Sequence, residues 1–168
     1  MLRRTPDQST GSRRSGSLLG PGIIWLVQPE SDDGVSAPVE VPEDIEERIR
    51  TLCLALPEVT VRVDYSLTRT RSTAQSFDIR RRSFCLLVAM ESSTGKSRPL
   101  LVLRADPVER EALLSIGYPF FLPRRAGHDR VGVWLTSDTD WEEIRELVTE
   151  SYRVLAPKKL TALLDEQR

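Results

Sequence analysis

Ile45, Ile49, Leu52, Cys53 and Leu56 recur at three- and four-residue intervals, the spacing of one helical face, and they form the first ordered pattern along the chain. Pro42 stands in first-turn position, Glu43, Asp44, Glu46 and Glu47 crowd the positive end of the helix dipole, and Pro57 ends the run. The period then falls towards two, with Val59, Val61 and Val63 separated by Thr60 and Arg62. This short piece reads as a strand or as an irregular lead-in. Two clearer strands are predicted at Gln75 to Arg80 and Ser83 to Met90, joined by a tight turn through Arg81-Arg82. After turn residues from Ser92 to Lys96, a further strand covers Pro99 to Arg104.

Asp106 and Glu109 have capping-box spacing, with Pro107 at the first helical position. A short second helix bearing Leu113, Leu114 and Ile116 is therefore expected to end near Gly117. Tyr118 to Leu122 and Val131 to Thr136 read as a second strand pair. Asp140 and Glu143 repeat the capping box ahead of a helix with Trp141, Ile144, Leu147, Val148, Tyr152 and Leu155 on one face. Pro157 stops it, and Leu160, Leu163 and Leu164 suggest a short terminal turn of helix. Short links between neighbouring strands imply antiparallel pairing. The predicted class is α+β, a two-layer sandwich with an antiparallel sheet and the order α-β-β-β-α-β-β-α, not a doubly wound nucleotide-binding sheet.

At 168 residues with 39% hydrophobic side chains, the chain suits one domain and a segment that does not join its core. The domain is placed at residues 42–168. Residues 1–41 are rich in Ser, Gly, Pro and Arg and are expected to be disordered or loosely attached, with one apolar island at Ile23-Ile24-Trp25-Leu26-Val27. That island reads as a strap lying on the domain or as residues no fold requires. The competing reading is a secretory leader, but Gly20-Pro21-Gly22 interrupts its apolar stretch, and the island is too short to span a bilayer.

Cys53 and Cys85 both sit in apolar patterns and read as small buried hydrophobes in a reducing, cytoplasmic setting. His128 is the single histidine and asparagine is absent, so neither a metal site nor a cofactor is expected. Ser93-Thr94-Gly95-Lys96-Ser97 matches only the tail of a phosphate-binding loop and precedes no helix. Glu142, Glu143, Glu146 and Glu150 lie on the polar side of an amphipathic helix, as a solvated face would.

Four stretches carry a family resemblance. They are Gly117-Tyr118-Pro119-Phe120-Phe121; Gly127-His128-Asp129-Arg130 leading into Gly132-Val133-Trp134-Leu135; Asp138 to Ile144; and Ser151 to Lys159. Together they resemble the MmcQ/YjbR family from about Val41 to Leu164, most strongly after Asp106, and the first 40 residues have no counterpart in it. The hairpin between Thr70 and Met90 departs from the family's usual short glycine-rich form, with Arg81-Arg82 where glycines often stand. The resemblance implies a small sandwich of CyaY-like or secretion-chaperone-like type, often described as DNA-binding because its hairpins resemble a double wing. It also brings in formyl transfer, but that chemistry uses an Asn-His-Asp set, and a chain without asparagine lacks it. A non-enzymatic domain is expected.

Charge gives the DNA expectation a local test. The formal net charge is −1, yet residues 57–104 hold 9 basic against 4 acidic groups. Arg69, Arg71, Arg80, Arg81 and Arg82, with Lys96 and Arg98, fall at strand ends and turns, where a wing would touch phosphates. Arg124, Arg125 and Arg130 form a second cluster in the loop before the last strand, and Lys158 and Lys159 follow Pro157. Charges on exposed strands also serve to discourage edge aggregation, and paired lysines at a helix end are commonly just solvated. Gln75 is the one glutamine between Val41 and Leu164, so amide recognition of adenine has almost no candidate, and phosphate contacts would dominate. His128 and Trp134, with Lys158, are the candidates for a small-molecule pocket. DNA or another protein is the expected partner, no membrane contact is expected, and the state is a monomer or weak dimer.

Overall fold

The computed structural model describes residues 39–64, 74–91, 96–123 and 127–166. In chain order these form α1 (Glu43–Leu54), β1 (Val59–Asp64), β2 (Ala74–Ile79), β3 (Arg82–Glu91), β4 (Ser97–Arg104), α2 (Pro107–Ile116), β5 (Phe120–Phe121), β6 (Arg130–Trp134), α3 (Trp141–Leu155) and α4 (Lys158–Glu166). The strands make one antiparallel open sheet in the order β1-β2-β3-β4-β6-β5. The α+β class is as predicted, and the element order is α-β-β-β-β-α-β-β-α-α. Val59–Asp64 is a full strand because each of its residues pairs along β2, from Val59 opposite Ile79 to Asp64 opposite Ala74. The terminal turn extends to a nine-residue helix, anchored by Leu160 in the core.

Local chemistry starts and stops the helices as the spacing predicts. The Asp106 carboxylate accepts the Val108 and Glu109 N–H groups, and the Asp140 carboxylate accepts those of Glu142 and Glu143. Such caps satisfy donors that the first helical turn leaves free and contribute about 1 kcal/mol each. Gly117 follows α2 at φ 76°, a conformation that favours glycine. Pro42 caps α1 without a side-chain acceptor, and Glu43, Asp44 and Glu46 meet the dipole there instead.

The core lies between the helices and one face of the sheet. Phe77, Ile79, Leu87, Leu101, Leu103, Val131 and Val133 point from the strands towards Ile49 and Cys53 of α1 and Ile144, Val148 and Tyr152 of α3. The period-two pattern breaks once. Phe77 is opposite Cys85 but Asp78 is opposite Ser83, so Phe84 is an extra residue in β3, a β-bulge. The bulge turns two consecutive side chains inward: Phe84 and Cys85 are both fully buried, and the Phe84 ring meets Tyr152 edge-on at 5.6 Å. Both cysteines are free thiols in the core, and burial pushes the Cys53 thiol up. Among the described residues, no helix is long and apolar enough to cross a membrane.

Candidate nucleic-acid interface

Ile79 pairs with Arg82 across the β2–β3 hairpin, so the loop is Arg80-Arg81 and Arg82 opens β3. This corrects the expected turn through Arg81-Arg82 by one residue. The reason lies in the backbone: Arg80 and Arg81 stand at φ 49° and 65°, as a two-residue type I′ connection demands of both central residues. Asparagine and glycine normally take those positions, and a run of three arginines hides which pair does so. All three arginines are exposed. Arg80 faces Glu58 at 3.6 Å in an exposed pair, whereas Arg81 and Arg82 form no ion pair among the described residues.

Register brings further arginines to the same end of the sheet. Arg104, the last residue of β4, is opposite Arg130, the first of β6. Their guanidinium groups converge on one acceptor, the carbonyl oxygen of Ser83 beside Arg82, with Arg104 Nε at 2.7 Å and an Arg130 terminal nitrogen at 3.0 Å. Arg104 also pairs with Asp129. Arg110 of α2 donates from Nε to the Arg130 carbonyl at 3.1 Å. Burial lowers the pKa of Arg130, and the Arg104 guanidinium adds to that effect, while Asp129 and the buried Asp78 carboxylate oppose it. Asp78 is already engaged by Arg62 at 3.1 Å and by the Ser76 hydroxyl at 2.5 Å. One end of the sheet therefore carries Arg80, Arg81 and Arg82, exposed at the turn, and Arg104 and Arg130, which share the Ser83 carbonyl, with Asp129 paired to Arg104.

The other expected residues divide. Arg69, Arg71, Arg124 and Arg125 lie outside the described residues. Lys158 and Lys159 are exposed at the start of α4 and form no hydrogen bond or ion pair with the arginines among the described residues. His128 and Trp134 do not line one cavity. His128 is exposed in the turn before β6, and Trp134 is buried at that strand's far end, where Phe121 stacks on it at 4.8 Å and the Arg98 guanidinium lies over its ring at 4.3 Å. Trp134 stands six positions further along the turn and extended strand, a path of up to about 20 Å at about 3.3 Å per residue, so closeness in sequence did not bring them together. A cleft of about 370 Å³ opens instead in the helical layer, lined in part by Arg145, Glu146, Thr149 and Arg153. Asp129, the neighbour of His128 in sequence, pairs with Arg104.

Residues 54–154 match the family model described as YjbR. The chain belongs to the YjbR family. No curated protein matches it. Among solved structures it is similar to the Deinococcus radiodurans protein DR2400, whose domain is described as DUF419. The identity is 16%, the match covers 78% of this chain and 92% of that one, and the TM-score is 0.52. At this identity the likeness supports the fold, and the YjbR match includes the β2–β3 turn, the Arg104–Arg130 pair and most of α3. Arg104 and Arg110 belong to the cluster although nothing in their local sequence pattern marks them. The signal that could have found Arg104 is strand register, which places it opposite Arg130.

Proposed function

We propose that this YjbR domain binds DNA weakly and without sequence preference, its phosphate backbone crossing the arginine-rich end of the sheet. The observation that carries the reading is the convergence of Arg104 and Arg130 on the Ser83 carbonyl, next to the exposed Arg80–Arg82 turn. Arg81 and Arg82 offer guanidinium groups with no carboxylate partner among the described residues, and an exposed pair such as Arg80–Glu58 contributes only about 0–1 kcal/mol, so a phosphate can displace it. Tolerance of sequence follows from the polar inventory. Asparagine is absent, and the Gln75 side-chain oxygen is buried in β2 without a partner, so among the described residues no amide is offered to an adenine edge. The reading is of a binding domain, not of an enzyme, working in the reducing cytoplasm where two buried free thiols persist.

Fluorescence anisotropy of a labelled duplex across a salt series tests this. With about three neutralised phosphates, log affinity should fall against log salt with a slope of about −3, equally for duplexes of unrelated sequence. Arg81→Glu with Arg82→Glu should abolish binding and leave thermal unfolding unchanged, because neither side chain is packed. Absence of binding at low salt, or binding indifferent to the double substitution, sinks the proposal.

A further inference from the structure

Among the described residues, three other than glycine stand at positive φ, and all three are charged: Glu58 at 56°, Arg80 at 49° and Arg81 at 65°. They meet at one end of the sheet. Val59 is opposite Ile79, so the same register carries Glu58, one residue before β1, to Arg80, one residue after β2. Pro57 followed by a left-handed residue is the pattern of a type II turn, whose second central position ordinarily takes glycine or asparagine. A glutamate there is strained, and such strain persists where the surrounding structure imposes it, often at ligand clamps. Tyr152 supplies the constraint: it is fully buried in the core, and its hydroxyl donates to the Pro57 carbonyl at 2.9 Å. Burial raises the pKa of that hydroxyl, the Glu58 carboxylate adds to the rise and the Arg80 guanidinium opposes it, as two charges held close to one phenol would. The result is a carboxylate 3.6 Å from Arg80, with both side chains more than half exposed. Glycine would relieve the backbone and lose this contact, so turn geometry does not account for the glutamate.

We infer that Glu58 is a tethered competitor for anions at the hairpin, a carboxylate that reserves Arg80 for a chain of phosphates and denies it to a single one. The inference rests on the phosphate-binding reading of this turn and adds its selectivity. A carboxylate on the same backbone competes at a high effective concentration, so a lone phosphate ion has to displace it unaided. A phosphate in a polymer has help. Arg81 and Arg82 are exposed beside Arg80 and can hold its neighbours in the chain, which brings the next phosphate to Arg80 at a comparable effective concentration. The pair itself is exposed and therefore weak enough for that exchange.

Glu58→Gln keeps the size of the side chain and removes its charge. In the full chain it should tighten binding of inorganic polyphosphate and of a labelled duplex by about fivefold at low salt, and steepen the duplex salt slope by about one. In an Arg80→Gln background the same substitution should change neither. Orthophosphate should move the Arg80 Nε–H resonance of Glu58→Gln at concentrations that leave it in place in the wild-type protein. Binding of polyphosphate without binding of duplex would remove the DNA reading and leave this one standing. The proposal is overturned if Glu58→Gln binds polyphosphate no more tightly than wild type. It is overturned too if the gain survives loss of Arg80, which would make Glu58 a general repellent of anions, or if orthophosphate moves the Arg80 resonance equally in both proteins.

Discussion

Ser151 shows how one hydroxyl can repair a sheet. It is fully buried on α3, where its Oγ donates to the Phe84 carbonyl at 2.6 Å and accepts the Arg104 N–H at 2.7 Å. The β3–β4 pairing ends at Cys85 opposite Leu103, beside the β-bulge that Phe84 makes against β2, and the serine from the helical layer serves the next carbonyl and N–H beyond it, those of Phe84 and Arg104. Ser151→Ala should therefore lower stability by about 1–3 kcal/mol, the cost of leaving buried backbone groups unsatisfied. It should also weaken the placement of Arg104 and hence the proposed DNA binding. Chemical denaturation with Ser151→Ala, set against an exposed control such as Ser115→Ala, checks the first effect. If the two variants unfold alike, the hydroxyl is not bridging the ladder. A serine in the middle of an amphipathic helix gives no sequence signal of this role, because both its partners lie in other elements.

At the scale of the element, the β2–β3 hairpin carries a conflict between fold and chemistry. Two arginines occupy left-handed positions that cost an L-residue about 1 kcal/mol or more each. Arg80→Asn with Arg81→Gly supplies the residues the turn geometry prefers, so it should raise stability by about 1 kcal/mol even after loss of the exposed Arg80–Glu58 pair. If the proposed DNA binding holds, the same substitution removes two arginines from the turn and should reduce duplex affinity and flatten its salt dependence. Unfolding curves and anisotropy titrations on one preparation measure both changes. A variant that is less stable, or that binds DNA as before, contradicts the account of this turn. The hairpin itself was legible from alternation on either side of the turn. Its loop was not, because three identical side chains leave only register to decide which two face solvent at positive φ.

Across the whole molecule, α1, the sheet and α3 share one core, and the two thiols report on it. Cys53 from α1 and Cys85 from β3 are fully buried in the same cluster, and burial, with the neighbouring Cys85, pushes the Cys53 thiol far up from its ordinary range. Both thiols are fully buried, so both should resist a thiol reagent such as Ellman's reagent at neutral pH, which cannot reach them in the folded protein. They should become reactive together, at the denaturant concentration where helical signal is lost. Reaction of one thiol well before unfolding would show that α1 opens separately from the sheet. Charge also takes its meaning at this scale. The molecule is nearly neutral, and the bias in residues 57–104 is joined by Arg130, from beyond that range, because the pairing of β4 with β6 brings Arg104 and Arg130 to the end of the sheet that carries the turn between β2 and β3.

Short-range rules settled much of this protein from sequence. Proline and aspartate fixed the helix starts, Gly117 and Pro157 marked the stops, alternation gave the inner face of the sheet, and apolar context placed both cysteines inside. Each depends on neighbours within a turn or a strand, which is the range that propensity and capping encode. The tertiary structure alone decided that Val59–Asp64 is a strand, that His128 and Trp134 part company, and that Arg104 meets Arg130 over the Ser83 carbonyl. Those outcomes follow from strand order and register, which join residues far apart along the chain through backbone hydrogen bonds that carry no mark of the side chains they align.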